Sequence, residues 1–203
     1  MKKFLLFLFI SFCPISEGSF LPESKAIDRL YEESVIVKQI LKEELIDEVN
    51  KYIKSVAPSS LVTAEFLVEQ CIQYEIDITF VLAQGLLESH FATRGIGGRI
   101  NSIFNVCVYD SVSSGDSTVP KAHRYLHPDE SIEPYLQLLR TDYLVGGKSE
   151  KDLLNNYINK NGHRYASNPL YEEQISSTMK RIQRTTKIDL LWQEYRAIRV
   201  NVL

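Results

Sequence analysis

Apolar residues recur every three or four positions between Ile27 and Val56, at Val37, Leu41, Leu45, Val49, Ile53 and Val56, with Glu43, Glu44, Asp47 and Glu48 flanking them. That spacing predicts a long amphipathic helix. Its heptads are not sustained, which favours packing on its own domain over a coiled-coil seam; a protein partner docked on helix 27–56 is the alternative. Pro58-Ser59-Ser60 breaks it and caps a second helix whose apolar face is Leu61, Ala64, Leu67, Val68, Cys71 and Ile72. A third helix, Ile78 to Phe91 capped by Asp77, is apolar on nearly every side and so belongs in a core.

Gly95, Gly97 and Gly98 then predict a loop, Ile103 to Tyr109 a short strand, Ser113 to Ser117 a turn, and Ala122 to Leu126 the returning strand of a hairpin. Helical spacing resumes from Ser131 to Leu144 and stops at Gly146-Gly147. Ser149 caps a helix carrying Leu153, Leu154, Tyr157 and Ile158, Pro169 opens another with Tyr171, Ile175, Met179 and Ile182, and the tail from Thr185 is helix-like. The fold class is therefore mainly α: a helical bundle with a small β-hairpin lobe and a long N-terminal helix, leaving room for a cleft between bundle and lobe.

The first residues change how the chain is counted. Lys2 and Lys3 precede an apolar run from Phe4 to Phe12, followed by Pro14 and Ser16-Glu17-Gly18, the layout of a secretory signal peptide cleaved after Gly18. The run is about half of the ~20 residues a spanning helix needs, so no membrane span is expected once it is removed. Phe12 before Cys13 argues against lipidation. The 203 residues are 44% hydrophobic and 24% charged, ordinary globular composition; loss of residues 1–18 takes two Lys and one Glu and moves the net charge from −3 to −4. No basic stripe is available for nucleic acid. Cys71 and Cys107 remain, either as one disulfide in an oxidising compartment or as two buried thiols.

Glu88 is the only carboxylate within the apolar helix 78–91, on one face with Val81, Gln84 and Gly85. Gly85 predicts an open space one turn before it. A carboxylic acid held by a core helix loses solvation and can keep its proton near neutrality, as a general acid must. The alternative is a Glu at a helix end paired with Arg94 or Arg99. His123 and His127 stand four apart, but the residues between them read as strand and no third ligand is evident, so neither metal nor cofactor is expected.

Four segments carry a resemblance. Ala83-Gln84-Gly85-Leu86-Leu87-Glu88-Ser89-His90-Phe91-Ala92, Asn101 to Val106, Ser131-Ile132-Glu133-Pro134-Tyr135 and Tyr165-Ala166-Ser167-Asn168-Pro169-Leu170-Tyr171 stand in the order of the "AQ…ES-aromatic-G", "NNLFGI", "SI-acid-x-Y" and "YATDPNY" elements. Together, from about Ser59 to Arg184, they resemble the glucosaminidase-like domain of glycoside hydrolase family 73. The resemblance implies a lysozyme-like α+β fold and cleavage of peptidoglycan. With the signal peptide at 1–18, the chain then divides into a helical extension at 19–57, a catalytic domain at 58–184 and a helical tail at 185–203.

The resemblance also implies roles. Glu88 would protonate the glycosidic oxygen, and Tyr165 would orient the substrate N-acetyl group or stabilise charge at the anomeric carbon. Gln84, Phe104, Asn105, Tyr109 and Tyr171 would line the sugar subsites. Family members place an acidic residue in the hairpin, where this chain has Asp116 in Gly115-Asp116-Ser117-Thr118, with Asp110 as a second candidate. A substrate-assisted route would need only Glu88 and Tyr165, and Asp116 also fits plain turn chemistry. Val106-Cys107 and Asn168 depart from the family pattern. The expected function is that of an endo-β-N-acetylglucosaminidase exported to periplasm, cell wall or medium, or encoded by a phage. A lytic transglycosylase and a non-catalytic wall-binding or assembly module are the alternatives.

Overall fold

The computed structural model describes residues 23–105, 125–155, 157–158, 165–166 and 168–198, with side chains from residue 29. The expected signal peptide, most of the expected hairpin, Cys107, Tyr109, Asp110, Asp116 and His123 lie outside the described residues. Among the described residues eight α-helices follow in order: α1 (Glu23–Val56), α2 (Ala64–Gln73), α3 (Ile78–Ser89), α4 (Gly95–Ile100), α5 (Ile132–Leu138), α6 (Glu150–Leu153), α7 (Tyr171–Thr185) and α8 (Ile188–Ala197). The mainly helical expectation holds; no strand is found among the described residues.

Helix α3 is the axis of the molecule. Asp77 caps it by accepting from the Thr79 and Phe80 amides at 2.7 and 3.2 Å, and Ile78, Phe80, Val81, Leu82 and Ala83 are fully buried. It lies chiefly against α7, while α1 packs on α2 and α8. The last turns of α1 bring Leu45, Val49, Tyr52 and Ile53 into the same core as Leu67, Leu136, Ile175 and Trp192. Its first turns carry Leu30, Tyr31, Ile36 and Ile40 exposed. Cys71, on α2, is a buried free thiol that burial pushes well above its ordinary pKa.

Four expectations are corrected. The glycine-rich stretch folds as α4 instead of a loop, because Gly97 and Gly98 serve close contact rather than flexibility. A Cβ on Gly97 would collide with the Ser102 carbonyl and the Ser89 side chain. Residues 103–105, expected to open a strand, form a turn in which Asn105 is left-handed at φ 56°. The helix expected over 131–144 is three pieces: a 3-10 turn at Pro128–Ser131, α5, and a π-helical turn at Leu139–Tyr143 closed by the Leu144 amide on the Leu139 carbonyl at 2.7 Å. Gly146 and Gly147, both at positive φ, end it as expected. Ser149 forms a capping box with Asp152, but α6 is a single turn and leaves Tyr157 buried outside it.

Candidate active site

The last turn of α3 carries Leu87 and Glu88 out of the core to the wall of a cleft of about 550 Å³. Glu88 is half-buried there. Asn105 holds it from below, donating from Nδ2 to Glu88 Oε2 at 2.8 Å and to the Glu88 carbonyl at 3.0 Å. A left-handed φ at Asn105 is what turns the carboxamide back under the helix, and Asn tolerates that conformation better than most residues.

The turn that bears Asn105 is fastened on both sides. Ser89 Oγ donates to the Ile103 carbonyl at 2.7 Å, and the Ile103 amide donates to Ser131 Oγ at 3.0 Å, tying the ends of α3 and α5 to one loop. Ser89 Oγ also accepts from the Ala92 amide, within a run of three left-handed residues, His90, Phe91 and Ala92, that reverses the chain directly after Glu88. Such backbone is costly and persists where surrounding contacts over-determine it. Here those contacts include Ser60 Oγ on the Phe91 carbonyl at 2.9 Å and His90 Nε2 against the Val56 carbonyl at 2.7 Å, which anchor the turn to the end of α1. Gly85 does not leave open space, as its spacing suggested: a Cβ there would meet Ile103 Cγ2 at 2.9 Å and the Phe91 ring at 3.1 Å.

Three tyrosines gather beside Glu88, against the same helix face. Gln84, one turn before Glu88, is fully buried beneath it and does not reach the cleft surface. Its Nε2 donates to Tyr165 Oη at 2.5 Å and to Tyr171 Oη at 3.3 Å, and its Oε1 accepts from Tyr135 Oη at 2.5 Å. Tyr135 and Tyr165 hydroxyls are themselves 2.8 Å apart. Phe104 stacks on Tyr135 with centroids 4.0 Å apart, and Tyr143 meets Tyr165 edge-on at 5.2 Å. Burial, above all, pushes the Tyr165 phenol up to about 12 and raises Tyr135 and Tyr171 well above their ordinary values. For Tyr171 the charges of Tyr165 and Glu88 and a hydrogen bond to Glu88 act in the same direction. All three are neutral phenols at physiological pH.

Of the residues singled out from the sequence, Glu88, Phe104, Tyr165 and Tyr171 line this one cleft, with Asn105 and Gln84 directly behind it. Tyr109 and Asp116 lie outside the described residues, as does the alternative Asp110. Among the described lining residues Glu88 is the single carboxylate. No group of three metal-ligating side chains occurs among the described residues; His127 caps the 3-10 turn, its Nδ1 accepting from the Asp129 amide at 3.3 Å. No helix among them is long and apolar enough to cross a membrane.

Sequence reasoning missed Ser89 and Tyr135 as parts of the site. Tyr135 sits in an apolar stripe and reads as core, yet a buried phenol must place its hydroxyl somewhere, and that requirement was the available signal. Compared with known proteins, residues 64–184 match a family model described as mannosyl-glycoprotein endo-beta-N-acetylglucosaminidase. No curated protein matches the chain.

Proposed function

The chain belongs to the Glucosaminidase family, and from that premise we propose that it is an exported endo-β-N-acetylglucosaminidase that hydrolyses the β-1,4 bonds of the peptidoglycan glycan on the reducing side of N-acetylglucosamine, with Glu88 as general acid. One observation carries the reading: a half-buried carboxylate, the single one among the described residues that line the cleft, is oriented by an amide. An amide N–H can only donate, so Oε2, which accepts from Asn105, is the oxygen that stays bare when Glu88 is protonated. The acid proton then belongs on Oε1. It passes to the glycosidic oxygen as the C1–O bond breaks, and the leaving sugar departs as a neutral alcohol.

Tyr165, on the same cleft, would meet the electron-poor anomeric region, and Phe104, Tyr143 and Tyr171 would offer rings for the apolar faces of the sugars. Water must lose a proton for the other half of the reaction. Asp116 is the residue assigned to take it, with Asp110 as the comparison, and a substrate-assisted route as the outcome if neither matters. Zymography on purified wall, with wild type, Glu88→Gln and Asp116→Asn side by side, tests the assignment. Lysis by wild type and none by a folded Glu88→Gln is expected. Mass spectrometry of the products should find reducing N-acetylglucosamine ends; 1,6-anhydromuramic ends would identify a lytic transglycosylase instead. A wild type that binds wall without cutting it would make the domain a binding module.

A further inference from the structure

The hydrogen bonds behind Tyr165 can be counted proton by proton, and the count deepens the reading just proposed, on which it rests. Gln84 is fully buried, and its Oε1 can only accept; the hydroxyl that reaches it is that of Tyr135, at 2.5 Å. Leaving a buried carboxamide oxygen without a donor is costly, so the single Tyr135 proton is committed to it. The Tyr165 oxygen accepts from Gln84 Nε2 at 2.5 Å. The Tyr135 and Tyr165 oxygens are 2.8 Å apart, a hydrogen-bond distance at which one must donate. With the Tyr135 proton already spent, the donor is Tyr165.

We infer that Tyr135 is a positioning residue: its hydroxyl closes a ring of three hydrogen bonds, Tyr135 to Gln84 to Tyr165 to Tyr135, that draws the Tyr165 proton away from the cleft and leaves an oxygen lone pair for the substrate. A ring closed in one sense is cooperative, each donor strengthened by the bond it accepts. The phenol of Tyr165 stays protonated across the physiological range, so its proton has to be accommodated rather than lost. The second hydrogen of Gln84 Nε2 goes to Tyr171 Oη at 3.3 Å.

The consequence is chemical. Tyr165 meets the sugar as an acceptor, suited to the N–H of a 2-acetamido group or to positive charge growing at the anomeric carbon. It is not poised to donate to the acetamido carbonyl.

Tyr135→Phe removes one oxygen and keeps the ring that stacks on Phe104. Proton NMR of the full chain should find slowly exchanging hydroxyl protons for both Tyr135 and Tyr165. Tyr165→Phe should erase only its own, because Tyr135 still donates to Gln84, whereas Tyr135→Phe should erase both. In turnover of solubilised peptidoglycan, Tyr135→Phe should lower kcat about tenfold with KM changed less than about twofold, the signature of a misplaced group rather than lost binding. The double variant should be no slower than Tyr165→Phe alone. Survival of a protected Tyr165 proton in Tyr135→Phe, loss of both protons in Tyr165→Phe, or additive losses in the double variant would overturn the inference. If wild type releases no sugar ends, the glycosidase reading falls, and the proton pattern still decides the ring.

Discussion

Asn105 and Gln84 do the quiet work at the level of single residues. Glu88 was legible in the sequence because a carboxylate inside an otherwise apolar helix is conspicuous. Its partner was not, because Ile103-Phe104-Asn105 alternates like a strand, and only the folded chain reveals that Asn105 is left-handed with its amide under Glu88. Tyr165 adds a pH dependence at this scale. Its folded pKa, about 12, lies above the ordinary 10, so the unfolded chain gives up the proton more readily. The stability it contributes is complete below pH 10 and is lost as pH rises from 10 to about 12. Denaturant midpoints should be flat from about pH 7 to 9 and then fall, with Tyr165→Phe falling less steeply by up to about 3 kcal/mol. Equal alkaline slopes in the two proteins would show that the phenol is not desolvated by the fold.

Among the elements, α1 has two halves with different fates. The periodicity of the sequence marks the whole helix as amphipathic but cannot say where along it the partner surface stops. That depends on α8, which comes back from the far end of the chain: Lys38 reaches the Ile198 carbonyl at 3.4 Å and lies 4.8 Å from the centre of the Tyr195 ring. The exposed Leu30, Tyr31 and Ile36 precede that contact. Removing residues through Ile36 should therefore leave the thermal midpoint within about 2 °C of the full chain, since surface changes of this kind are nearly neutral. Removal through Ala57 strips Leu45, Val49, Tyr52 and Ile53 from the core. At about 2–5 kcal/mol for each buried side chain this exceeds the stability of an ordinary domain, and the product should not fold. A cooperative melt in the shorter chain would mean that the last turns of α1 are dispensable. Helix α4 makes the complementary point. Three glycines in four residues read as a breaker, but the packing of Gly97 against Ser89 and Ser102 selects helix, a tertiary demand that no local pattern carries.

For the molecule as a whole, the mainly helical architecture and the convergence of distant segments on one cleft were readable, because apolar periodicity and four family-like segments are strong signals. The hairpin lobe lies outside the described residues. What charge contributes is also a property of the whole. At net −3 the chain has no electrostatic claim on an anionic wall, and its aromatic surface for sugars is that of the cleft, Phe104, Tyr143, Tyr165 and Tyr171 among it. Raising ionic strength from about 0.05 to 0.3 M should leave wall lysis unchanged or slightly faster, as salt screens repulsion between like charges. A steep loss of activity with salt would point to cationic docking and away from recognition in the cleft.

The central claim is that the carboxylate held by Asn105 at the end of α3 is the acid that cuts the glycan. Zymography of wild type against Glu88→Gln, with matched far-ultraviolet spectra and melting curves, tests it most directly. Gln keeps the shape of Glu and has no acid proton to give, so clear lysis by wild type and at least a thousandfold loss, by order of magnitude, in an equally stable variant is the expected result. Lysis retained by a folded Glu88→Gln would contradict the account.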